Sequence, residues 1–295
     1  MNKNVMFNGR LAKNEVDTWL DLLSESNPSS HLNRVLAKAF LQLPESITFV
    51  TSIENKIIGG TSIYRDRTRL AMVIASVAVF KEFRESTTYQ IVKSSLPFFK
   101  TVAIRDVDVL VSLETGKNNL GFPLSLELDS WVTDIIKRIG FSESGTLEHY
   151  SFGITKKIKE KPVQWMKEDN KEQVRELIWD QSKSMGLVNS FVWLARDFAA
   201  NRSCLMTVND EEKVVAVAGF WSLSSALCVT PIMIDPDSIS WSQIADSLIA
   251  EASERNMNQI ELPLIGNGQL ELIQELQENC KITSCRKLLL LRKSL

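Results

Sequence analysis

Histidine is nearly missing from this chain: 295 residues hold two, His31 and His149. A histidine-rich metal centre is thereby excluded, and a Ser-His-Asp triad would have to recruit one of the pair. Three tyrosines, Tyr64, Tyr89 and Tyr150, leave few candidates for a phenol acid. Four cysteines (Cys204, Cys228, Cys280, Cys285) show no CxxC pairing and are too few for a disulfide framework, so a reducing cytoplasm is the expected setting. Neither sign of charge prevails. Lys+Arg 34 against Asp+Glu 36 gives a net charge of −2, which offers no broad basic field to nucleic acid or anionic lipid. No apolar run approaches the ~20 residues that span a bilayer, and the opening MNKNVMFNGR lacks the apolar core of a signal peptide. What remains is a soluble globular composition, 44% hydrophobic and 24% charged, on a chain long enough for two domains.

The chain repeats itself at an offset of 158 residues. Between Val5 and Val50 nine positions recur, among them Val16/Val174, Ser26/Ser184, Leu36/Leu194, Ala37/Ala195 and Phe40/Phe198. The order of predicted elements repeats more convincingly than the identities. In each half a short apolar segment leads to an amphipathic helix, then a second helix. Strands follow at Ile47–Ser52, Lys56–Arg65 and Met72–Phe80, and again at Leu205–Val208, Lys213–Trp221 and Ala226–Ile234. Helices are predicted over Thr88–Arg105, with Pro97 kinking or interrupting the first, and over Ser240–Asn256. Buried strands Val107–Leu113 and Gln259–Leu264 come next. The Lys-rich stretch Lys156–Lys161 reads as the linker, so the expected domains are 1–158 and 159–295.

This element order resembles that of the GNAT acetyltransferase superfamily. Ser76-Val77-Ala78-Val79-Phe80-Lys81-Glu82-Phe83-Arg84 looks like that family's central strand and its turn into the pyrophosphate-binding helix. Ile139-Gly140-Phe141 resembles its late helix-ending turn, and Asn267 falls where the family often has an Asn opening its late helix. The resemblance implies an α/β (α+β) fold of two GNAT-like domains, each a mixed, mostly antiparallel sheet flanked by helices. It also implies an acyl-CoA-dependent N-acyltransferase, moving acetyl from acetyl-CoA to an amine of a small molecule or protein, with no metal. In that family two parallel strands splay apart, the pantetheine arm lies between them, and the pyrophosphate sits on backbone N–H groups at the next helix start. Carried onto this chain, the cofactor-binding residues would be Val77, Val79, Arg84, Ser86, Thr87, Thr88 and Tyr89, with the N–H of the Val79 region polarising the thioester carbonyl.

The sequence departs from the family at the chemistry itself. Thr87 and Tyr89 stand where glycines would let phosphates approach, and Glu85 adds a like charge beside an anion site. The second half has Ser238-Ile239-Ser240-Trp241-Ser242 there, with neither arginine nor glycine. Ser86, Thr87 and Thr88 can equally cap the helix that follows. Where the family often carries a tyrosine acid, this chain has Ile136 and, in the second half, Gln274. Glu114 and Glu261 are candidate bases by location only. His149 reads as structural, and His31 as a residue that could touch an acceptor. Trp19, Trp179 and Trp193 are expected to be buried. The insertion Lys117–Glu127 has no counterpart of equal length in the second half, and reads as a loop over the first site or a brace. The alternative to catalysis is a degenerate tandem protein whose clefts serve ligand binding or scaffolding. A tandem enzyme drawing on aminoacyl-tRNA is a third reading, which the charge balance disfavours.

Overall fold

The computed structural model describes residues 6–27, 32–67, 70–101, 104–113, 127–128, 130–156, 158, 162–186, 190–223 and 225–295. In chain order the elements are β1 (Met6–Arg10), α1 (Val16–Ser26), α2 (Arg34–Leu41), β2 (Ser46–Ile53), β3 (Lys56–Asp66), β4 (Ala71–Val79), α3 (Arg84–Thr101), β5 (Asp106–Ser112), β6 (Glu127–Leu128), α4 (Thr133–Ile139) and β7 (Ser142–Ile154). There follow β8 (Met166–Lys167), α5 (Lys171–Ser184), α6 (Ser190–Asn201), β9 (Leu205–Asp210), β10 (Lys213–Leu223), β11 (Ala226–Ile234), α7 (Trp241–Glu254), β12 (Gln259–Ile265), α8 (Leu270–Asn279) and β13 (Cys280–Ser294). No helix among the described residues is long and apolar enough to cross a membrane.

Two compact units result, and their limits differ from the break expected at 158. One comprises Met1–Gly145 with Leu288–Leu295, the other Thr146–Lys287. Strand pairing supplies the reason. Leu288–Ser294 of β13 runs antiparallel to β5, so the end of the chain completes the sheet of unit 1. Residues Glu148–Gly153 of β7 run antiparallel to β12, so that part of the strand belongs to unit 2. Local composition around Lys156–Lys161 carries no trace of either pairing.

In unit 1, β1, β2, β3 and β4 form an antiparallel meander, and β4 then pairs parallel with β5. The hairpin turn at Glu54-Asn55 places both residues at positive φ, 50° and 63°, as a two-residue turn matching strand twist requires. Helix α1 buries Trp19, Leu20, Leu22 and Leu23, and Asn33 opens α2 by accepting a hydrogen bond from the Leu36 N–H. The core joins Ile74, Val77 and Val79 of β4, Val92 of α3, Val109 and Val111 of β5, Ile136 of α4 and Leu291 of β13. Helix α3 runs unbroken from Arg84 to Thr101, four residues earlier than expected and without interruption at Pro97.

Unit 2 has the same plan. Strands β8, β9, β10 and β11 are antiparallel, β11 pairs parallel with β12, and Asn170 caps α5 through the Gln173 N–H. Each unit holds a strand glycine against a neighbouring strand: a Cβ on Gly60 of β3 would lie 2.3 Å from the Phe49 carbonyl of β2, and one on Gly219 of β10 would lie 2.3 Å from the Thr230 carbonyl of β11. Trp19 and Trp193 are buried as expected, whereas Trp179 is 42% exposed, with the Lys183 ammonium over its ring. The explanation is helical phase: α5 turns Val174, Leu177 and Ile178 inward and leaves Trp179 outside that stripe.

Candidate functional site: the two strand wedges

In each unit the parallel pair separates after three residues. In unit 1 pairing stops at Val73↔Asp108, and in unit 2 at Cys228↔Glu261. Such a fork exposes backbone groups on two facing edges, which must find partners.

The unit 1 wedge is filled by the chain itself. A strand has two edges, and β13 takes one edge of β5 along Asp106–Ser112. Both β4 and β6 therefore lie on the other edge, β4 at Asp106–Asp108 and β6, parallel, at Leu110 and Val111. The Leu128 side chain is 3% exposed within the unit 1 core. The expected insertion thus ends as a strand seated in the fork. Its preceding residues 117–126 lie outside the described residues.

The residues expected to hold a cofactor beside this fork are engaged elsewhere. Val77 and Val79 are buried in β4, opposite Thr61 and Gly59 of β3. The Val79 N–H, expected to face a thioester, donates to Ser26 Oγ at 2.9 Å, and Ser26 Oγ lies 3.2 Å from the Val79 carbonyl oxygen. The Arg84 guanidinium donates to the Ser26 carbonyl at 2.5 Å and to the Val79 carbonyl at 3.3 Å, and stacks on Trp131 with 4.4 Å to the ring centre. It locks the end of α1 to the end of β4. Ser86, Thr87 and Thr88 lie inside α3 and do not cap it. Ser86 and Thr87 donate to the Phe83 carbonyl at 3.3 and 2.6 Å, and Thr88 to that of Arg84 at 2.6 Å. Helical back-bonding thus replaces the expected loop. Tyr89 packs on the core, with Lys93 and Arg138 over its ring at 5.3 and 5.7 Å. A 600 Å³ cavity beside this helix start is lined by Lys81, Glu82, Arg84, Glu85, Ser86, Trp131 and Ile135, so its two cations are matched by two carboxylates. Glu114 and His31 lie outside the described residues.

Unit 2 closes its wedge differently. Gln269 is 1% exposed, and its Nε2 donates to the Ile232 carbonyl of β11 at 2.7 Å while its Oε1 accepts from the Gly266 N–H at 3.1 Å. The Gly266–Gln269 turn is pressed onto the end of α5, where the Gly268 N–H donates to the Met185 carbonyl at 3.3 Å. At the start of α7, Ser240 and Gln243 form a capping box that occupies helix N–H groups. Beside it lies a 460 Å³ cavity lined by the carboxylates of Glu176, Asp180, Asp235 and Asp237 against one cation, Lys213. Lys213 Nζ lies 2.6 Å from Asp235 Oδ2, and this bond holds the Asp235 carboxyl below its ordinary range. A pyrophosphate placed there would meet like charge.

Two candidates that sequence left apart are brought together at the apex of this second wedge. His149 Nε2 lies 2.6 Å from Glu261 Oε2, which also accepts from Ser151 Oγ at 2.7 Å. Arg286 Nη2 lies 3.0 Å from His149 Nδ1. Guanidinium can only donate, so Nδ1 accepts and Nε2 carries the proton toward Glu261. Both His149 and Glu261 are buried, at 2% and 8% exposure. Their separation of 112 residues hides the pair from any spacing argument, and the only sequence signal is a charge inside the apolar strand β12. Ile136 is buried and Gln274 exposed, and neither side chain can serve as an acid. Among the described residues no group of three or more His, Cys, Asp or Glu could hold a metal ion. Cys280 is buried and Cys285 exposed, and an odd spacing along β13 sends them to opposite faces.

No protein-family model matches the sequence, and no curated protein matches it. Solved structures do. A tandem GNAT protein from the clavulanic acid biosynthesis pathway superimposes with TM-score 0.63 over 98% of this chain and 98% of its own, at 9% identity. A GCN5-related N-acetyltransferase from Sphaerobacter thermophilus gives TM-score 0.63 over 98% and 95%, at 7% identity. A glucosamine N-acetyltransferase region of a fungal multi-domain β-N-acetylglucosaminidase gives 0.70 over 99% of this chain and 38% of its own, at 10% identity. The chain has the GNAT acetyltransferase fold. Its described residues do not fit an acyl-CoA in either wedge, because a strand occupies one and the Gln269 amide bridges the other.

Proposed function

We propose that this protein is a duplicated GNAT-fold chain that acts as a ligand-binding or scaffolding module, its two wedges given over to its own backbone and side chains. The observation that carries the reading is β6, hydrogen-bonded along β5 where a pantetheine arm would lie. A polar arm gains its place in such a fork by satisfying free backbone groups, and Leu110 and Val111 already have strand partners. The engaged Val79 N–H and Arg84 guanidinium support the same conclusion.

A second reading, transfer of an acyl group from acetyl-CoA to a small-molecule or protein amine, draws on the fold and on the Glu261–His149 pair at the unit 2 apex. Calorimetric titration of the intact chain with acetyl-CoA separates the two. The module reading expects no heat and an unchanged melting temperature at millimolar ligand. Saturable heat would overturn it, since a ligand at 100 times its Kd adds about 2.7 kcal/mol of stability. Substituting Leu128→Gly then locates the obstacle: acetyl-CoA affinity gained by this variant alone identifies β6 as what excludes the cofactor.

A further inference from the structure

We infer that unit 1 carries a binding site, separate from its wedge, for a small amphiphile with an anionic head. A cavity of about 730 Å³ is lined by the end of β1, the start of α1, the end of α2 and the start of β2. Strand register places it at the far end of the sheet from the α3 start. Arg10 lies opposite Phe49, Ser46 opposite Tyr64 and Asp66 opposite Ala71, the first residue of β4. Val79, which leads into α3, lies opposite Gly59 at the other end.

The lining divides by chemistry. Leu11, Val16, Leu41 and Ile47 supply half-buried apolar walls. Arg10, Lys13 and Lys38 supply three cations against the one carboxylate of Asp17. That carboxylate is already matched. Lys38 Nζ lies 2.8 Å and Arg34 Nη2 3.3 Å from Asp17 Oδ1, and hydrogen bonds from Lys38 and then Arg34 hold its carboxyl below the ordinary range. Lys13 has no ion-pair partner among the described residues, so the lining keeps a cation for an anionic head. Apolar walls and a cationic rim suit a hydrocarbon body ending in a carboxylate or phosphate. The volume falls in the range of small-ligand pockets, roughly 300–1,000 Å³. This site depends on neither reading of the wedges.

The test is calorimetric titration of the full chain with octanoate, octyl phosphate and octylammonium. One saturable site for octanoate or octyl phosphate is expected, the tighter of the two naming the head group, with no site for octylammonium. Lys13→Gln lies on an exposed turn and should weaken anion binding by about fivefold, the scale of one partly exposed charge contact. Ile47→Ala should weaken it as well by removing part of the wall. Absence of saturable binding for both anions, equal binding of octylammonium, or unchanged affinity in Lys13→Gln would each overturn the inference.

Discussion

Removing the last eight residues, Leu288–Leu295, should unfold unit 1 and leave unit 2 standing, although the cut is made at the opposite end of the chain from β1. Leu288, Leu289, Leu290 and Leu291 are 3%, 7%, 6% and 0% exposed. At about 1.5–3 kcal/mol for each fully buried leucine, their loss withdraws roughly 6–12 kcal/mol, an upper estimate because the unfolded chain is not fully extended. A domain is stable by only about 5–15 kcal/mol, so the deletion consumes most of that margin. It also strips the partner strand from β5 along Asp106–Ser112 and takes Arg292 away from buried Asp108. Hydrogen exchange read by mass spectrometry on full-length and truncated chains provides the assay. Protection should collapse in β2 to β5 and persist in β9 to β12. The reasoning is refuted if protection disappears within 146–287 while β2 to β5 keep theirs, the pattern that a boundary at 158 would produce.

Three further outcomes follow from named contacts. Arg292→Met removes two hydrogen bonds, 2.6 and 3.0 Å, from Asp108, which is 0% exposed, and should cost about 3–5 kcal/mol in urea unfolding, most of it recovered in the Asp108→Leu, Arg292→Met double variant. Ser26→Ala leaves the Val79 N–H without its hydroxyl partner and should destabilise by about 1–3 kcal/mol, with an unchanged denaturant slope showing that the native state stays compact. Asp235 has a lowered pKa, caused first by its bond to Lys213, so its contribution to stability is complete above its unfolded value of about 3.9 and is lost as pH falls through the folded value. Melting temperatures recorded from about pH 5 down to about pH 2 should fall less steeply in Asp235→Asn, and an identical slope would remove this ion pair from the acid response.

The element order was legible because it rests on local signals, and its resemblance to the GNAT superfamily supplied the fold. Strand alternation, the Glu54-Asn55 turn and the Ile139-Gly140-Phe141 helix end with Gly140 at φ 101° all act over a few residues. The degenerate phosphate loops were also visible as missing glycines. Their true form was not: Arg84–Tyr89 lies in helix, since Thr87 and Thr88 can donate to carbonyls four residues back as readily as to a phosphate.

Composition and periodicity by themselves determined the element order and the repeat, and the family resemblance showed the weakness of the cofactor motifs. Only the tertiary structure decided which strand completes which sheet, what fills each wedge, and that His149 meets Glu261. The physical reason is range. Turns, caps and helical phase are set by neighbours along the chain, whereas a strand edge accepts any segment with free N–H and C=O groups. The choice of β6 for β5, or Leu288–Ser294 for its other edge, is made by the burial that follows docking, and no residue announces it in advance.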